Sequence, residues 1–555
     1  MRVLVLDGEW NRQEKLLLMG ILEEGSFQAL TKEEDYKALT DRLESERDLL
    51  VVGHNIRSDL LMLMKAIGKE VWIAGHVWDT MIGQMVLKQK SGWENRGYSL
   101  KNLIEIYLGK GFEEKEELRE RALDLKEASQ ELIDYNKKDL TLTYQVFLKQ
   151  RDFFKAYTEE IKRDWKAFAN LKSYAGISLP ISVAIEMKFV NLLAISEFYG
   201  VQLEADLIRA YKEEMEKQLI RFRMEFKERF RVEAGQVKKL QAMLGVRTLD
   251  KRKQTEEEKE KSKEVLELRE KITKLEKELG LAKALIEVAE GKKRPEVRQI
   301  GAPTGRMAYA EPNLQQVPRD SKLREYINKD CVKMDFATIE LRLAGQYVKQ
   351  LFKNLGIEVK SELVKALQEG KDLHTITSQK IFGKEDISKE ERQIGKAVNF
   401  ASLYGITPES LQETVYNNTG KQLDGKNLLE GFYQSYPELR KWHLLVKEGG
   451  TVITLGGRLI KAKTRNEALN YPIQASGAEV LKLFSLIVYT TARSLGLKVI
   501  PVLYIHDEVH FLTCNTKEDD IHRVLQEGKR AVEKFLLRDV PFEYEIKNQK
   551  EVSHV

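Results

Sequence analysis

The stretch YIHDEVHF at residues 504–511 decides the fold of the C-terminal half of the chain. It places His506, Asp507 and Glu508 between two runs rich in β-branched and aromatic residues, a pattern that predicts a β-hairpin with a polar tip. Taken alone, such a tip is more often a solvated turn than a site. Whether this tip belongs to a functional site therefore depends on residues elsewhere in the chain.

Two further stretches supply partners for this tip. In KMDFATIELRLAG at 333–345, Asp335 ends an apolar strand and Glu340 follows on a predicted helix. In ERQIGKAVNFASLYG at 391–405, two cations and then two aromatic residues recur every four residues, which predicts that they line one face of a single helix. These four residues are Arg392, Lys396, Phe400 and Tyr404.

Phosphoryl transfer is the chemistry that fits these three stretches together. Asp335 and Asp507 could hold two Mg²⁺ ions that bridge an attacking hydroxyl and a triphosphate. The two cations would bind the triphosphate, and the two aromatic rings offer flat surfaces for a sugar and a base. The chain contains no GxxxxGK[ST] motif, so a P-loop enzyme is excluded.

A second group of carboxylates lies near the N-terminus. Asp7 and Glu9 end the first predicted strand, Asp59 begins a helix, and Asp139 follows Tyr135 by one helical turn. Four carboxylates brought together need cations such as Mg²⁺, and two such ions can cleave a phosphodiester while the tyrosine orients a water. Each motif is weak alone, and their order along the chain makes the set informative.

The pattern of elements predicts several domains. Strands and helices alternate over the first 150 residues, as in an α/β domain, and a charged helical stretch over about 113–154 closes it. From about residue 180 the chain is mostly helical, and an apolar seam between 250 and 280 predicts either a projecting helix pair that grips a partner or an ordinary antiparallel helix hairpin. The remainder mixes short strands with longer helices.

Composition excludes several classes of protein. The 555 residues (64.2 kDa) carry a net charge of +5, which neither requires nor excludes nucleic acid. No apolar run is long enough for a membrane span. Cys331 and Cys514 cannot build a disulfide framework and are expected to be small core residues. We therefore expect a cytoplasmic protein, associated with the nucleoid or, for a viral protein, with the host cytoplasm.

The motifs of this chain resemble those of two known protein families. Residues 1–150, with DGE (7–9), WDT (78–80) and YSLKNLIEIYLG (98–109), resemble the DEDD 3′–5′ exonucleases of the ribonuclease H-like fold, in the variant with a motif tyrosine. Residues 180–555 resemble the family A DNA polymerases of the polymerase I type. Besides the stretches above, TGR (304–306), PNLQQVP (312–318), LHTITSQKIFG (373–383), TLGGR (454–458) and NYPIQASGAE (470–479) follow the family order.

The resemblance implies a multidomain α/β and α+β fold, in which a right-hand polymerase domain follows a ribonuclease H-like exonuclease domain. The expected bounds are 1–160 for the exonuclease domain and 161–555 for the polymerase domain. Within the latter, the thumb is expected at about 190–295, the fingers at about 346–440, and the palm at about 300–345 and 440–555.

The resemblance also implies a role for each site residue. Asp335 and Asp507 would ligate metal with Glu508 beside them, and His506 would lie near the primer terminus. Glu340 would exclude a ribose hydroxyl, Arg392 and Lys396 would hold phosphates, Phe400 the deoxyribose, and Tyr404 the position opposite the template base. DNA contacts would come from Arg306, Asn470, Gln474 and, in the exonuclease, Asn55. Asp7, Glu9, Asp59 and Asp139 would ligate the exonuclease metals, with Tyr135 beside them.

The implied function is template-directed DNA synthesis with proofreading, in replication or repair. The implied partners are primer-template DNA and deoxynucleoside triphosphates, with two Mg²⁺ per site, for which Mn²⁺ could substitute. We expect a monomer without a 5′-nuclease domain. Ala337 and Thr338 replace two polar residues of the usual motif, which bears on sugar discrimination. The alternatives are a phage-type RNA polymerase, which Glu340 and Phe400 argue against, and a scaffold with inactive sites, which the intact carboxylates argue against.

Overall fold

An N-terminal mixed sheet forms from the short apolar runs of the first 80 residues. The computed structural model describes residues 1–92, 97–109, 120–250, 254–547 and 552–554. The strands are β1 (Arg2–Trp10), β2 (Leu16–Glu23), β3 (Ser26–Leu30), β4 (Leu49–Gly53) and β5 (His76–Asp79), in the order β3-β2-β1-β4-β5. The β1–β2 and β2–β3 pairs are antiparallel, and β4 runs parallel to β1 and to β5.

Helices accompany this sheet in the described part of the chain. They are α1 (Glu33–Ser45), α2 (Ile56–Ile67), α3 (Thr80–Ser91), α4 (Leu100–Leu108) and α5 (Gln130–Asp164). The α/β prediction is confirmed. The helical stretch expected over about 113–154 is only partly right, because the helix seen there runs from Gln130 to Asp164, while residues 110–119 lie outside the described part of the chain.

A short hairpin and a buried helix follow. The hairpin consists of β6 (Leu171–Tyr174) and β7 (Ile177–Pro180), and the helix is α6 (Ile181–Tyr199). Side chains of this segment bind the main chain near β5. Tyr174 donates its hydroxyl to the Val77 carbonyl at 2.8 Å, and Asn191 accepts from the Ile73 amide at 2.8 Å and donates to the Val71 carbonyl at 2.9 Å.

Residues 201–298 and 308–331 make a separate compact unit. Its elements are α7 (Ala205–Phe230), α8 (Val237–Leu244), α9 (Glu256–Ala289), β8 (Glu296–Arg298), β9 (Ala308–Ala310) and α10 (Lys322–Tyr326). Helices α7 and α9 pack along one another. Val265, Leu268 and Ile272 of the predicted seam are buried, so the expected helix pair is present.

The other unit contains residues 1–200, 299–307 and 332–555. Its C-terminal part begins with β10 (Val332–Phe336) and continues through seven helices: α11 (Ile339–Asn354), α12 (Glu362–Gln368), α13 (Leu373–Phe382), α14 (Lys389–Ser402), α15 (Pro408–Thr419), α16 (Gly425–Ser435) and α17 (Pro437–Leu445). The hairpin β11 (Gly450–Ile453) and β12 (Leu459–Ala462) leads into α18 (Arg465–Ser494). Then come β13 (Ile500–Ile505), β14 (Glu508–Leu512), α19 (Glu518–Phe535), β15 (Tyr544–Lys547) and β16 (Val552–His554).

The C-terminal sheet is entirely antiparallel, in the order β13-β14-β10-β15-β16. The predicted hairpin over 504–511 is therefore present as β13 and β14. Cys331 is buried as expected, but Cys514 is exposed, because it follows the end of β14. Across the described ranges, no helix combines the length and apolar character that a membrane crossing requires.

Candidate active sites

Strand pairing brings the C-terminal carboxylates together. In the β10–β14 register Asp335 lies opposite Glu508, the first residue of β14. The Phe336 amide donates to the Asp507 carbonyl at 3.1 Å, which places the hairpin turn beside the end of β10. The turn requires a left-handed backbone at His506 (φ 55°), a conformation that histidine adopts more readily than most residues. The register and this hydrogen bond therefore bring Asp335, Asp507 and Glu508 together at the end of β10.

A lysine that sequence reasoning missed lies among these carboxylates. Lys547 ends β15, the other neighbour of β10, and its ammonium pairs with Asp335 Oδ2 and with Glu508 Oε2 at 3.3 Å. On the far side, Glu508 Oε1 is 2.6 Å from Nε2 of the buried His510. No sequence pattern marks Lys547, since its partners lie 212 and 39 residues away.

Glu340 lies in the first turn of α11 and is largely buried. Its Oε1 is 3.6 Å from Arg306 Nη2, and the Tyr404 hydroxyl lies beside it. Burial raises the pKa of Glu340, and the nearby Asp507 adds to the rise, whereas Tyr404 and Arg306 oppose it. Burial and the Glu340 charge raise the pKa of Tyr404. Three residues predicted from separate motifs therefore meet at one point.

The predicted helix face is present with one correction. Arg392, Lys396 and Phe400 lie one turn apart on α14 and are all exposed. Tyr404 does not continue that face, because α14 ends at Ser402 and the chain turns through Gly405 at φ +75°. The turn directs Tyr404 inward to Glu340, which a strict four-residue spacing could not predict.

Asp372 and His374, which precede α14, contact the side chains of this face. Arg392 Nε pairs with Asp372 Oδ2 at 2.6 Å, and Asp372 also caps α13 through the amides of His374 and Thr375. The His374 ring lies 5.8 Å from that of Phe400 between centroids. Burial lowers the pKa of His374 to about 4, so its imidazole is neutral beside the two cations. His374 belongs to the sequence motif at 373–383, but the motif alone did not indicate a role for this histidine.

Asn470 and Gln474 lie one turn apart on α18, and both are half-buried. The Oδ1 atom of Asn470 is buried and has no hydrogen-bond partner within the described part of the chain. An unsatisfied buried acceptor is costly, so this oxygen favours a hydrogen-bond donor.

The N-terminal carboxylates converge from one strand and two helices. The Gly8 amide donates to Asp59 Oδ1 at 2.9 Å, which places Asp59 between Asp7 and Glu9 of β1. Asn136 Nδ2 donates to Asp7 Oδ2 at 2.7 Å, and this bond joins α5 to the same strand. Tyr135 and Asp139, its neighbours on α5, are also buried. Burial raises the pKa of Asp59, and the charges of Glu9 and Asp79 add to it.

Asp79 is a further residue that sequence reasoning did not assign. Its buried carboxylate caps α3 by accepting from the amides of Met81 and Ile82, and it also accepts from Asn55 at 3.1 Å and Ile56 at 3.0 Å. Burial raises the pKa of Asp79 to about 6 despite these four donors. Asn55 has a left-handed backbone (φ 56°), which asparagine tolerates well. Asp79 thus fixes the loop that leads to Asp59.

The donor chemistry of both sites suits hard divalent cations, which prefer carboxylate oxygens. Around Asp335 and Glu508 a lysine ammonium already occupies the place of a shared cation. Around Asp59 a second carboxylate, Glu9, lies close enough to raise the pKa, a repulsion that a cation would relieve. Within the described ranges, no group of three or more His, Cys, Asp or Glu side chains is arranged to hold a metal ion. The fit therefore rests on these pairs.

Two family models match this chain. Residues 224–553 match the family model described as DNA polymerase family A, and residues 25–152 match the one described as 3′-5′ exonuclease. DNA polymerase I of Aquifex aeolicus is 29% identical over 523 residues, which cover 89% of this chain and 86% of that protein. The thermostable DNA polymerase I of Thermus thermophilus is 26% identical over 289 residues, 47% of this chain and 32% of its own length.

Among solved structures, the polymerase domain of Pol1 from M. smegmatis, in complex with DNA primer-template and dNTP, superposes with a TM-score of 0.71. The match covers 98% of this chain and 95% of that chain at 17% sequence identity, so it shows the fold alone.

The fold and the two carboxylate sites define a DNA polymerase that carries its own 3′–5′ exonuclease domain. Proteins with these two domains generally use divalent metal ions. The chain belongs to DNA polymerase family A.

Proposed function

We propose that this chain extends a primer 3′ end with deoxynucleoside triphosphates at the C-terminal site and trims mismatched ends at the N-terminal site, in replication or repair. The observation that carries the proposal is the register of β10 and β14, which sets Asp335 opposite Glu508 and beside the Asp507 turn. We further propose that it works as a monomer in the cytoplasm.

In the polymerase site, Asp335 and Asp507 would hold Mg²⁺, with Glu508 supporting them and His506 near the primer end. When bound, these ions would lower the pKa of the primer hydroxyl and neutralise charge on the triphosphate. The three exposed residues of α14 would bind the nucleotide: Arg392 and Lys396 the phosphates, and Phe400 the sugar. Tyr404 would border the template base.

Selection of the sugar is proposed for Glu340. Its Oε1 lies 3.6 Å from Arg306 Nη2, and this ion pair favours one position of the carboxylate as an incoming ribose approaches. A ribose hydroxyl would meet this carboxylate, whereas deoxyribose would not. Arg306 through its guanidinium, and Asn470 and Gln474 through their side-chain amide nitrogens, would donate to minor-groove acceptors, which all correct base pairs present in similar positions.

In the exonuclease site, Asp7, Glu9, Asp59 and Asp139 would hold the metal ions and Tyr135 would orient the attacking water. Asn55 would help to hold the frayed primer end, since Asp79 fixes the main chain on which it lies. The buried Gly8–Asp59 hydrogen bond supports a preformed site.

The test uses a 5′-labelled primer with one mismatched 3′ nucleotide on a longer template, with Mg²⁺. We expect shortening without nucleotides, and trimming followed by full extension with all four. Asp59→Ala should abolish shortening yet extend a matched primer, and Asp507→Asn should do the reverse. Extension of the mismatched primer by Asp507→Asn would refute the assignment of the polymerase site.

A ribonucleotide control separates the proposal from an RNA polymerase. The wild type should reject ribonucleotides, and Glu340→Ala should incorporate them at a rate at least about tenfold higher, because a carboxylate that excludes a hydroxyl is worth about 1.4 kcal/mol or more. Equal use of both sugars by the wild type would refute the DNA-specific assignment.

A further inference from the structure

The loop that carries Arg306 is held rigidly from inside the protein. Residues 299–306 fold back on themselves, since the Gly301 amide donates to the Arg306 carbonyl at 2.9 Å and the Gly305 amide to the Ala302 carbonyl at 2.9 Å. The loop is short, and its conformation sets where the Arg306 side chain begins.

One side of this loop is fixed by the polymerase domain. The buried Lys482 of α18 donates to the carbonyls of Gln299 at 3.0 Å and Gly305 at 2.8 Å, and it pairs with Glu186 at 2.6 Å. Arg458 also pairs with Glu186 at 2.6 Å, and all three charged side chains are 0% exposed. A Cβ at Gly305 (φ +73°) would lie 2.3 Å from Arg458 Nη1, so the loop fits closely against this cluster.

The other side of the loop is fixed by the exonuclease domain. Gln89, fully buried on α3, donates its Nε2 to the Pro303 carbonyl at 2.8 Å. Its Oε1 lies 3.5 Å from Arg458 Nη1. Burial alone would raise the pKa of Glu186, but the charges of Lys482 and Arg458 outweigh it and lower the pKa, which favours the ionised carboxylate.

Helix α3 continues from this contact to the exonuclease site. It spans twelve residues, about 18 Å at 1.5 Å per residue. At its first turn the Asp79 carboxylate binds the amides of Asn55 and Ile56, which lead into the helix of Asp59. One rigid helix therefore touches the loop of Arg306 at one end and the exonuclease loop at the other.

We propose that Gln89 is a positioning residue that ties the loop of Arg306 to α3 and thereby sets how strongly the polymerase site distinguishes a matched primer end from a mismatched one. The inference rests on the proposed role of Arg306 in the minor groove. An arginine whose loop is already ordered loses little conformational entropy when it binds a correctly placed acceptor. A mismatched end displaces that acceptor and loses the contact, so it is extended slowly and reaches the exonuclease domain first.

The test compares two Gln89 variants with a primer analogue. Gln89→Met removes the donor at similar length, and Gln89→Glu keeps an acceptor for Arg458 but cannot donate to Pro303 when ionised. Single-turnover extension is measured from primers ending in guanine or in 3-deazaguanine, which lacks the minor-groove acceptor. The same variants are given a mismatched primer with nucleotides, and a single strand without them.

The wild type should extend the 3-deazaguanine primer about tenfold or more slowly, the range for loss of one hydrogen bond to a charged group. Both Gln89 variants should extend the guanine primer about threefold to tenfold more slowly than the wild type, and the analogue primer at the wild-type rate. The ratio of the two extension rates, here called the analogue penalty, should therefore fall. Excision of mismatched ends before extension and excision of single strands should both stay at the wild-type level, because neither process uses the Arg306 contact.

Gln84→Met is the matched control, because Gln84 is a buried glutamine of the same helix that is hydrogen-bonded to Tyr107 rather than to the loop. Its analogue penalty should equal that of the wild type. Equal slowing of guanine and 3-deazaguanine primers by the Gln89 variants would overturn the inference, since it would indicate general damage.

Arg306→Ala separates the two assignments. Loss of the analogue penalty in Arg306→Ala but not in the Gln89 variants would overturn the role of Gln89 alone. Retention of the full penalty in Arg306→Ala would overturn the proposed role of Arg306 itself, and with it this inference.

Discussion

The ammonium nitrogen of Lys547 lies 3.3 Å from Oε2 of Glu508, and the same ammonium pairs with Asp335. One lysine thus bridges two of the carboxylates proposed for the polymerase metal site. The lysine side chain is 39% exposed and Glu508 only 7%, so the lysine is the partner that can move into solvent.

Replacing Lys547 by methionine should strengthen divalent cation binding. The ammonium offsets carboxylate charge and occupies oxygens that a metal needs, and for a partly exposed pair this is worth about 0.5–1 kcal/mol. We expect Mn²⁺ to bind about threefold to fivefold more tightly. Titration followed by electron paramagnetic resonance, without nucleotide and in an Asp59→Ala background, measures this. Lys547→Arg should behave as the wild type, and weaker binding by Lys547→Met would contradict the prediction.

Replacing Asp372 by asparagine should strengthen nucleotide binding. Asparagine preserves the cap of α13, since it is as good a capping residue as aspartate. It removes the ion pair that holds Arg392, which contributes about 0.2–1 kcal/mol for an exposed pair. The dissociation constant of a deoxynucleoside triphosphate, from the concentration dependence of single-turnover extension, should fall about twofold to fivefold. A rise instead would mean that Asp372 orients Arg392 for binding.

Replacing Asp79 by asparagine should impair excision without affecting synthesis. An amide nitrogen would face at least one of the four main-chain donors, and a lost buried hydrogen bond costs about 1–3 kcal/mol. We expect excision of single strands to slow about tenfold or more, with extension of matched primers unchanged. Asp124→Asn, at a carboxylate that is 72% exposed in the same domain, should leave both rates unchanged. Equal losses at both sites would point to unfolding instead.

Lys188 should make stability depend on pH. Its ammonium donates to the Gly75 carbonyl at 2.7 Å and lies 4.4 Å from the Trp72 ring centroid. Burial lowers its pKa from 10.5 to about 7. Above pH 7 the unfolded chain therefore holds a proton that the folded chain has released, so the free energy of unfolding rises with pH, by up to about 1.4 kcal/mol per unit.

The comparison is between the wild type and Lys188→Met in urea at pH 7, 8 and 9, followed by tryptophan fluorescence. The wild type should gain stability relative to the variant as the pH rises, while Lys166→Met, at an exposed lysine, should follow the wild type. Parallel curves for the wild type and Lys188→Met would contradict the prediction.

Local patterns in the sequence predicted much of the fold and most of the site. The hairpin at 504–511, the strand that ends near Asp335 and the helix of Arg392 all follow from short-range periodicity. Tyr404 departed from its pattern because a glycine turn ends the helix first. Lys547 and Gln89 could not be predicted, since their partners lie up to about two hundred residues away and only the tertiary fold brings them together.

The attachment of the exonuclease domain through Tyr174, Lys188 and Asn191 has a consequence for protein engineering. These three side chains bind main-chain atoms of residues 71–77, and main-chain atoms are the same whatever the side chains there. A foreign exonuclease domain grafted onto this chain would need to reproduce the path of that segment and, among its side chains, the Trp72 ring beside Lys188 and the His76 ring beside Tyr174. Chimaeras should therefore tolerate divergent donor sequences at residues 71–77 better than at Gln89, where the side chain itself makes the hydrogen bond.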